Sequence, residues 1–201
     1  MKKKVVLATN NSKKLNELQA IMQEFGFELI PQSHFNIGTA EEPFDTFIEN
    51  ALAKARFASE KTNLPAIADD SGICVDALNG APGIFSARFS GENATDEANN
   101  IKLLNLLKDE KNRKAHYHCS IVFIKEPKDP QPIICEGQWY GEILKEPKGS
   151  QGFGYDPIFL DYKSEQSAGE LTPEIKNRIS HRGHALQKLK QKLKIIYDQE
   201  I

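Results

Sequence analysis

Residues Ala66-Ile67-Ala68-Asp69-Asp70-Ser71-Gly72 form an apolar run that delivers two adjacent carboxylates, a hydroxyl and a glycine at an expected strand end. Carboxylates beside a buried strand are costly unless something compensates them. In one reading the compensation is a hard divalent cation, because clustered Asp and Glu oxygens are what Mg²⁺ coordinates, with substrate phosphates and waters completing its shell. In the other, Asp-Asp-Ser-Gly is a solvated turn, since these residue types favour turns. A second acidic pair, Glu41-Glu42, stands upstream in a loop.

The segments around this run alternate between strand and helix patterns. Lys4 to Thr9 reads as a buried first strand, and Asn10 to Lys14 opens a helix that carries Leu15, Leu18, Ile21, Met22 and Phe25 before Gly26. Phe27 to Pro31 reads as a second strand, followed by an irregular acidic segment through Pro43. Thr46-Phe47-Ile48-Glu49 has capping-box spacing and starts a helix to about Lys61, and the strand Pro65 to Asp70 follows. Thr95 or Asp96 caps a helix with Ala98, Ile101, Leu104 and Leu107 at helical spacing. Tyr117 to Ile124 and Pro132 to Glu136 read as a hairpin around Pro127-Lys128-Asp129-Pro130. Thr172-Pro173-Glu174 starts a short helix, and the last helix runs from about Ser180 to Tyr197, with Leu186, Leu189, Leu193 and Ile196 inward and four lysines on a solvated face. Early strand–helix alternation with a later hairpin gives a mixed sheet with helices packed around it.

At 201 residues and 39% hydrophobic content, one sizeable core or two small lobes can form, and a single α/β domain over residues 1–201 is expected. Lys plus Arg total 26 against 28 for Asp plus Glu, so the formal charge of -2 offers no global positive field to hold a nucleic acid polymer. Cys74, Cys119 and Cys135 are odd in number and widely spaced, which argues against a disulfide framework or a zinc site and fits a reducing cytoplasm. No apolar stretch approaches membrane-spanning length, so no membrane association is expected.

Three further clusters carry chemistry. Thr9, Asn10, Asn11, Ser12, Lys13 and Lys14 sit where a strand hands over to a helix N-terminus, a place suited to an anion. A capped helix with exposed lysines is the other reading, and the Walker pattern is absent. Gly149 to Pro157 sets three glycines beside Phe153 and Tyr155, as a backbone that approaches a ligand closely while offering a ring, or as a tight structural loop. Ser180-His181-Arg182, with Lys176 nearby, gathers hydrogen-bond donors that suit a 6-oxo purine; the alternative is a capping serine with surface His and Arg. Donors left unpaired by adenine's 6-amino group reject that analogue by roughly 10⁴ or more.

Taken together these segments resemble the inosine triphosphate pyrophosphatase family. The matching pieces are Thr9-x-Asn11-x-x-Lys14, Phe47-Ile48-Glu49-Asn50-Ala51-x-x-Lys54-Ala55, Ala68-Asp69-Asp70-Ser71-Gly72, Gly80-Ala81-Pro82-Gly83, Gly152-Phe153-Gly154-Tyr155-Asp156-Pro157 and Ser180-His181-Arg182-Gly183. Asn10 stands where members commonly have Gly, and Phe85 where they have Tyr. The resemblance implies an elongated mixed α/β sheet with flanking helices and two lobes around a central cleft, in a homodimer. It implies hydrolysis of dITP, ITP and XTP to the monophosphate and pyrophosphate, with Glu41 and Asp70 as Mg²⁺ ligands and Asp70 as general base. It places the triphosphate on Thr9 to Lys14 and Ser71, and the base among Phe153, Gly154, Tyr155, Asp156, Lys176, His181 and Arg182. Lys54 and Arg88 are further cations for the triphosphate, or ordinary surface residues. Two other functions stay open on the residues: a sensor that binds a purine triphosphate without cleaving it, and a pyrophosphatase for pyrimidine triphosphates.

Overall fold

The computed structural model of the chain describes residues 3–9 and 12–197. In chain order the main elements are β1 (Lys3–Leu7), α1 (Ser12–Glu24), β2 (Phe27–Pro31), α2 (Phe47–Thr62), β3 (Ala66–Val75), α3 (Asp96–Leu106), β4 (Lys114–Ile124), β5 (Ile133–Ile143), β6 (Phe159–Asp161), α4 (Pro173–Ile179) and α5 (His181–Tyr197). The strands form one open sheet in the order β2-β1-β3-β4-β5-β6. β1 runs parallel to β2, with Val5 opposite Leu29, and to β3, with Val6 opposite Ala66, whereas β5 and β6 are antiparallel, with Glu142 opposite Leu160. The sheet is therefore mixed, as the sequence pattern requires.

The chain divides into two compact units. One contains the described residues up to Asp70, Ser120–Glu136 and those from Ala185 on; the other contains Ser71–Cys119 and Gly137–His184. In the first, Ala51, Ala55 and Ala58 of α2 are fully buried in one apolar cluster with Val6 of β1, Ala8 just after it, and Ala66 and Ala68 of β3. Small side chains on both surfaces let the helix backbone approach the sheet closely. Thr46 caps α2, its hydroxyl accepting from the Glu49 N–H at 3.2 Å and donating to the Glu49 carboxylate at 2.6 Å. In the second unit, Ile73 and Val75 of β3, Leu103 and Leu107, Tyr117, Trp139, Ile143 and Phe159 make an aromatic-rich core. Trp139 and Tyr117 both pack edge-on against Phe159, with ring centroids 4.9 and 4.8 Å apart, a favoured aromatic arrangement.

Several expectations change. The Ala66 strand does not end at Asp70 but continues through Ser71 and Gly72 to Val75, so the two carboxylates lie mid-strand and not in a solvated turn. Asp69 and Asp70 are 3% and 9% exposed. β5 extends past Glu136 to Ile143, and part of the irregular segment after β2 is a 3-10 turn, Gln32–Phe35. Of the expected α3 stripe, Leu107 at the helix end is fully buried and Leu104 packs on the core, whereas Ile101 is half exposed and Leu103 is buried beside them. The lysines of α5 are also more engaged than a solvated face: Lys188 donates to the Glu136 carbonyl and Lys192 to the Ile134 carbonyl, each at 2.7 Å. His184 Nδ1 lies 2.8 Å from the Gln138 carbonyl, completing an i, i+4, i+8 row along β5.

Candidate active site

Side chains on a strand alternate faces. Asp70 therefore shares the α2-facing side with Ala66 and Ala68, and Asp69 points to the other side. Close helix–sheet packing brings Lys54 of α2 over this strand, where its Nζ donates to Asp70 Oδ1 at 2.9 Å and to Glu42 Oε1 at 3.0 Å. The side chains of Lys54 and Asp70 are only 14% and 12% exposed. Burial, with Glu42 and Asp69 adding to it, pushes the Asp70 carboxyl above the usual carboxylate range despite Lys54. Burial also works against the Lys54 ammonium, but Asp70, Glu42 and Asp69 outweigh it and hold the lysine above its ordinary value. Asp70 and Glu42 thus share the one Lys54 ammonium.

Asp70 Oδ2 is buried and takes no hydrogen bond among the described residues. An anionic oxygen in that state is an open ligand position. Among the described residues no three His, Cys, Asp or Glu side chains are grouped to hold a metal by themselves. Mg²⁺ typically needs one or two carboxylates plus phosphate oxygens and waters, and Asp70 with the Glu41-Glu42 pair fits that donor set. Glu42, not Glu41, is the residue drawn to Lys54; Glu41 is exposed.

The second unit holds another cluster. Asp156, 2% exposed, accepts from the Phe153 N–H at 2.8 Å and from the Lys176 ammonium, and Tyr117 OH lies 3.4 Å from its other oxygen. Gly152 has φ +82°, and a Cβ there would sit 2.1 Å from Asp156 Oδ2, so only glycine lets the carboxylate seat under the loop. Phe153 is 44% exposed, with Lys176 Nζ 4.7 Å from its ring centroid. Tyr155 turns inward, 4% exposed, and donates to the Ser86 carbonyl at 2.8 Å, so of the two loop aromatics Phe153 is the one that presents a ring. Ser86 in turn accepts from the Ile73 N–H at 2.9 Å, tying the segment after Gly80-Ala81-Pro82-Gly83 to β3.

Ser180 caps α5, accepting from the Gly183 N–H at 3.2 Å. The capping reading is right for this serine, but His181 and Arg182 are not surface residues: each is 8% exposed. His181 stacks on Tyr117 with centroids 4.7 Å apart and planes 7° from parallel, and Arg182 Nη2 donates to Ser71 Oγ at 3.3 Å. The structure thus brings Phe153, Asp156 and Lys176 together, His181 against Tyr117, and Arg182 onto Ser71. Thr9, expected to end the first strand, lies two residues beyond the end of β1 and is half-buried. Asn10 and Asn11 lie outside the described residues, as do the side chains of Ser12, Lys13 and Lys14, which begin α1. Arg88 is exposed, its guanidinium 5.1 Å from the centroid of the Phe85 ring.

Sequence reasoning gave no site role to Tyr117, Asp96 or Asn100, and named Glu42 only as a member of the Glu41-Glu42 pair. Asp96 Oδ2 accepts from the Gly154 N–H at 2.7 Å, and Asn100 Nδ2 donates to the Gly154 carbonyl at 3.0 Å. The i, i+4 spacing of these two polar residues on α3 was a signal, whereas Tyr117 reads in sequence only as a core strand residue.

Fold and side chains together define a class: an open-sheet α/β protein with a buried acid–lysine centre on its third strand. The chain belongs to the Ham1 family, whose model matches residues 5–192. It is 53% identical to the dITP/XTP pyrophosphatase of Shigella flexneri over 188 residues, covering 92% of this chain and 95% of that one. It is also 53% identical to the dITP/XTP pyrophosphatase of Nitrosomonas europaea, covering 94% of each. Among solved structures it is similar to a HAM1 protein from Coxiella burnetii, with 48% identity, a TM-score of 0.92, and coverage of 95% of this chain and 98% of that one. The resemblance read from the motifs holds over nearly the whole chain.

Proposed function

We propose that this protein hydrolyses the deaminated purine nucleoside triphosphates dITP, ITP and XTP to the monophosphate and pyrophosphate, clearing them from the nucleotide pool. The observation that carries the reading is the buried Asp70 carboxylate, one oxygen held by Lys54 and the other without a hydrogen bond among the described residues, in a chain half-identical to proteins named dITP/XTP pyrophosphatase. Asp70, with raised proton affinity, orients a water and takes its proton as the oxygen attacks the α-phosphorus. The bond from that phosphorus to the bridging oxygen breaks, and pyrophosphate leaves. Asp70 and Glu41 would hold Mg²⁺, Glu42 being engaged by Lys54; when bound, the ion would supply charge neutralisation at the phosphate oxygens. Thr9 to Lys14 and Ser71 hold the triphosphate, Lys14 steadies the departing pyrophosphate, and Lys54 keeps Asp70 ionised and aimed.

Phe153 stacks on the purine, Gly154, Tyr155 and Asp156 shape the loop behind it, and Lys176, His181 and Arg182 donate to the 6-oxo group. Adenine leaves those donors unpaired, which disfavours ATP. We place the protein in the cytoplasm as a homodimer, acting on a free nucleotide and on neither nucleic acid polymers nor membranes. Among the described residues no helix is long and apolar enough to cross a membrane.

The test is pyrophosphate release from ITP, dITP, XTP, GTP, ATP and dUTP, with Mg²⁺ present or chelated. Metal-dependent turnover confined to ITP, dITP and XTP, and lowered roughly 10²- to 10⁴-fold in Asp70→Asn, is expected for loss of a general base. Tight binding without turnover would mean a sensor, and preference for dUTP would mean a pyrimidine enzyme.

A further inference from the structure

The backbone that carries the Phe153 ring is held in part by residues outside the Phe153, Asp156 and Lys176 cluster. The two peptide groups flanking the Phe153 Cα are each pinned at their N–H: Phe153 N–H to Asp156 Oδ2 at 2.8 Å, and Gly154 N–H to Asp96 Oδ2 at 2.7 Å. With both planes fixed, φ and ψ of Phe153 are set, and with them the direction of its Cα–Cβ bond. Gly154 is gripped on its other side as well, since its carbonyl accepts from Asn100 Nδ2 at 3.0 Å. Its φ is +63°, a left-handed conformation that a glycine adopts freely but also leaves freely. Asp96 and Asn100 are one turn apart on α3, so a single helix face holds both the N–H and the C=O of this glycine. Asn100 is 9% exposed and Asn99 beside it anchors α3 in turn, donating to the Ser86 and Ala87 carbonyls and accepting from the Ser90 N–H.

We propose that Asp96 and Asn100 are positioning residues that preset the Phe153 platform for the purine base, and so set base affinity without acting on the phosphates. The inference rests on the assignment of Phe153 to the base made under the proposed function. A platform fixed before binding spares the ordering cost that a glycine-flanked loop would otherwise meet when the ligand arrives. The consequence is a division of labour that kinetics can resolve: α3 governs KM through the base, and Asp70 governs kcat.

The experiment compares wild type, Asp96→Ala, Asp96→Asn, Asn100→Asp and Phe153→Ala. Each is assayed for KM and kcat with dITP, for inhibition by inorganic tripolyphosphate, which has no base, and for thermal unfolding midpoint. Asp96→Ala is expected to raise KM roughly tenfold, the scale of one lost charge-assisted hydrogen bond, with kcat within about twofold and tripolyphosphate inhibition unchanged. Asp96→Asn restores KM, because an amide oxygen still accepts from the Gly154 N–H. Asn100→Asp, nearly isosteric but without the donor, raises KM as Asp96→Ala does. A wild-type KM in Asp96→Ala beside a raised KM in Phe153→Ala overturns the positioning role and leaves the function reading intact. A parallel fall in kcat, tripolyphosphate inhibition and unfolding midpoint overturns it too, as the mark of a merely structural residue. An unchanged KM in Phe153→Ala overturns the assignment of the base to that ring, and a wild type inactive on dITP overturns both readings.

Discussion

At the scale of single residues, two carboxylates show how neighbours decide what an acid does. Asp70 keeps a high proton affinity because burial and two nearby carboxylates outweigh its one lysine. Removing that lysine in Lys54→Ala would leave Asp70 and Glu42 without their shared cation and is expected to cost about 3 kcal/mol in urea unfolding, the scale of breaking a buried pair. Millimolar Mg²⁺ should recover part of that loss in the variant and raise the wild-type midpoint less. Asp161 behaves oppositely. Burial disfavours its charge, but hydrogen bonds from the Ser164 N–H and the Trp139 indole, each 2.8 Å, more than offset that and hold its pKa below the ordinary value. A carboxyl depressed in the folded state contributes stability above its unfolded pKa of about 3.9, and that contribution is lost as pH falls through the folded value. Asp161→Asn should therefore be less stable than wild type at pH 7 and lose less stability than wild type on acidification from about pH 5 to about pH 2, as read from unfolding curves.

At the scale of elements, the informative object is the row of side chains that α5 lays along β5. His184, Lys188 and Lys192 meet the carbonyls of Gln138, Glu136 and Ile134 in turn. Strand carbonyls covered in this way are not offered to another chain. Lys190 lies between these lysines in sequence but pairs with Glu24, where both side chains are about half exposed, and such surface pairs contribute little. Replacing Lys188 and Lys192 by methionine should therefore lower the thermal midpoint more than Lys190→Met does, and should increase light scattering near that midpoint. Equal effects would mean that the carbonyl contacts are incidental.

At the scale of the whole molecule, the chain passes between its two compact units four times, at Asp70–Ser71, Cys119–Ser120, Glu136–Gly137 and His184–Ala185. Each passage falls within or at the edge of a regular element: β3, β4, β5 or α5. Neither unit is a continuous stretch, and strands β3, β4 and β5 belong partly to each, so neither can lose its strands without cutting into the other. Unfolding is expected to be one cooperative transition. Trp139, the one tryptophan of the chain and buried in the second unit, should report the same midpoint by fluorescence as far-UV circular dichroism reports for the whole chain. Separate midpoints would show that the units unfold independently.

Local chemistry was legible without the fold. The Thr46 and Thr172 caps, the Gly26 stop and the mixed sheet follow from short-range rules of capping, turn geometry and side-chain period, and they stand where those rules put them. The family was legible because its motifs are short and ordered along the chain. What tertiary structure alone decided is which of those groups meet. Nothing in Asp69-Asp70-Ser71-Gly72 says that the strand continues through it, because turn-forming residues can be carried into a strand by ladder pairing and burial. Nothing in the sequence separation of Lys54 from Asp70, or of Asp96 and Asn100 from Gly154, signals contact. Those pairs exist because an alanine face brings α2 down onto β3 and because Asn99 ties α3 to the Ser86–Ser90 segment, to which Tyr155 of the glycine loop also bonds. Sequence determines which groups are available, by the chemistry of each residue and its near neighbours. Packing determines their partners, because distance in space is set by how whole elements bury their apolar faces.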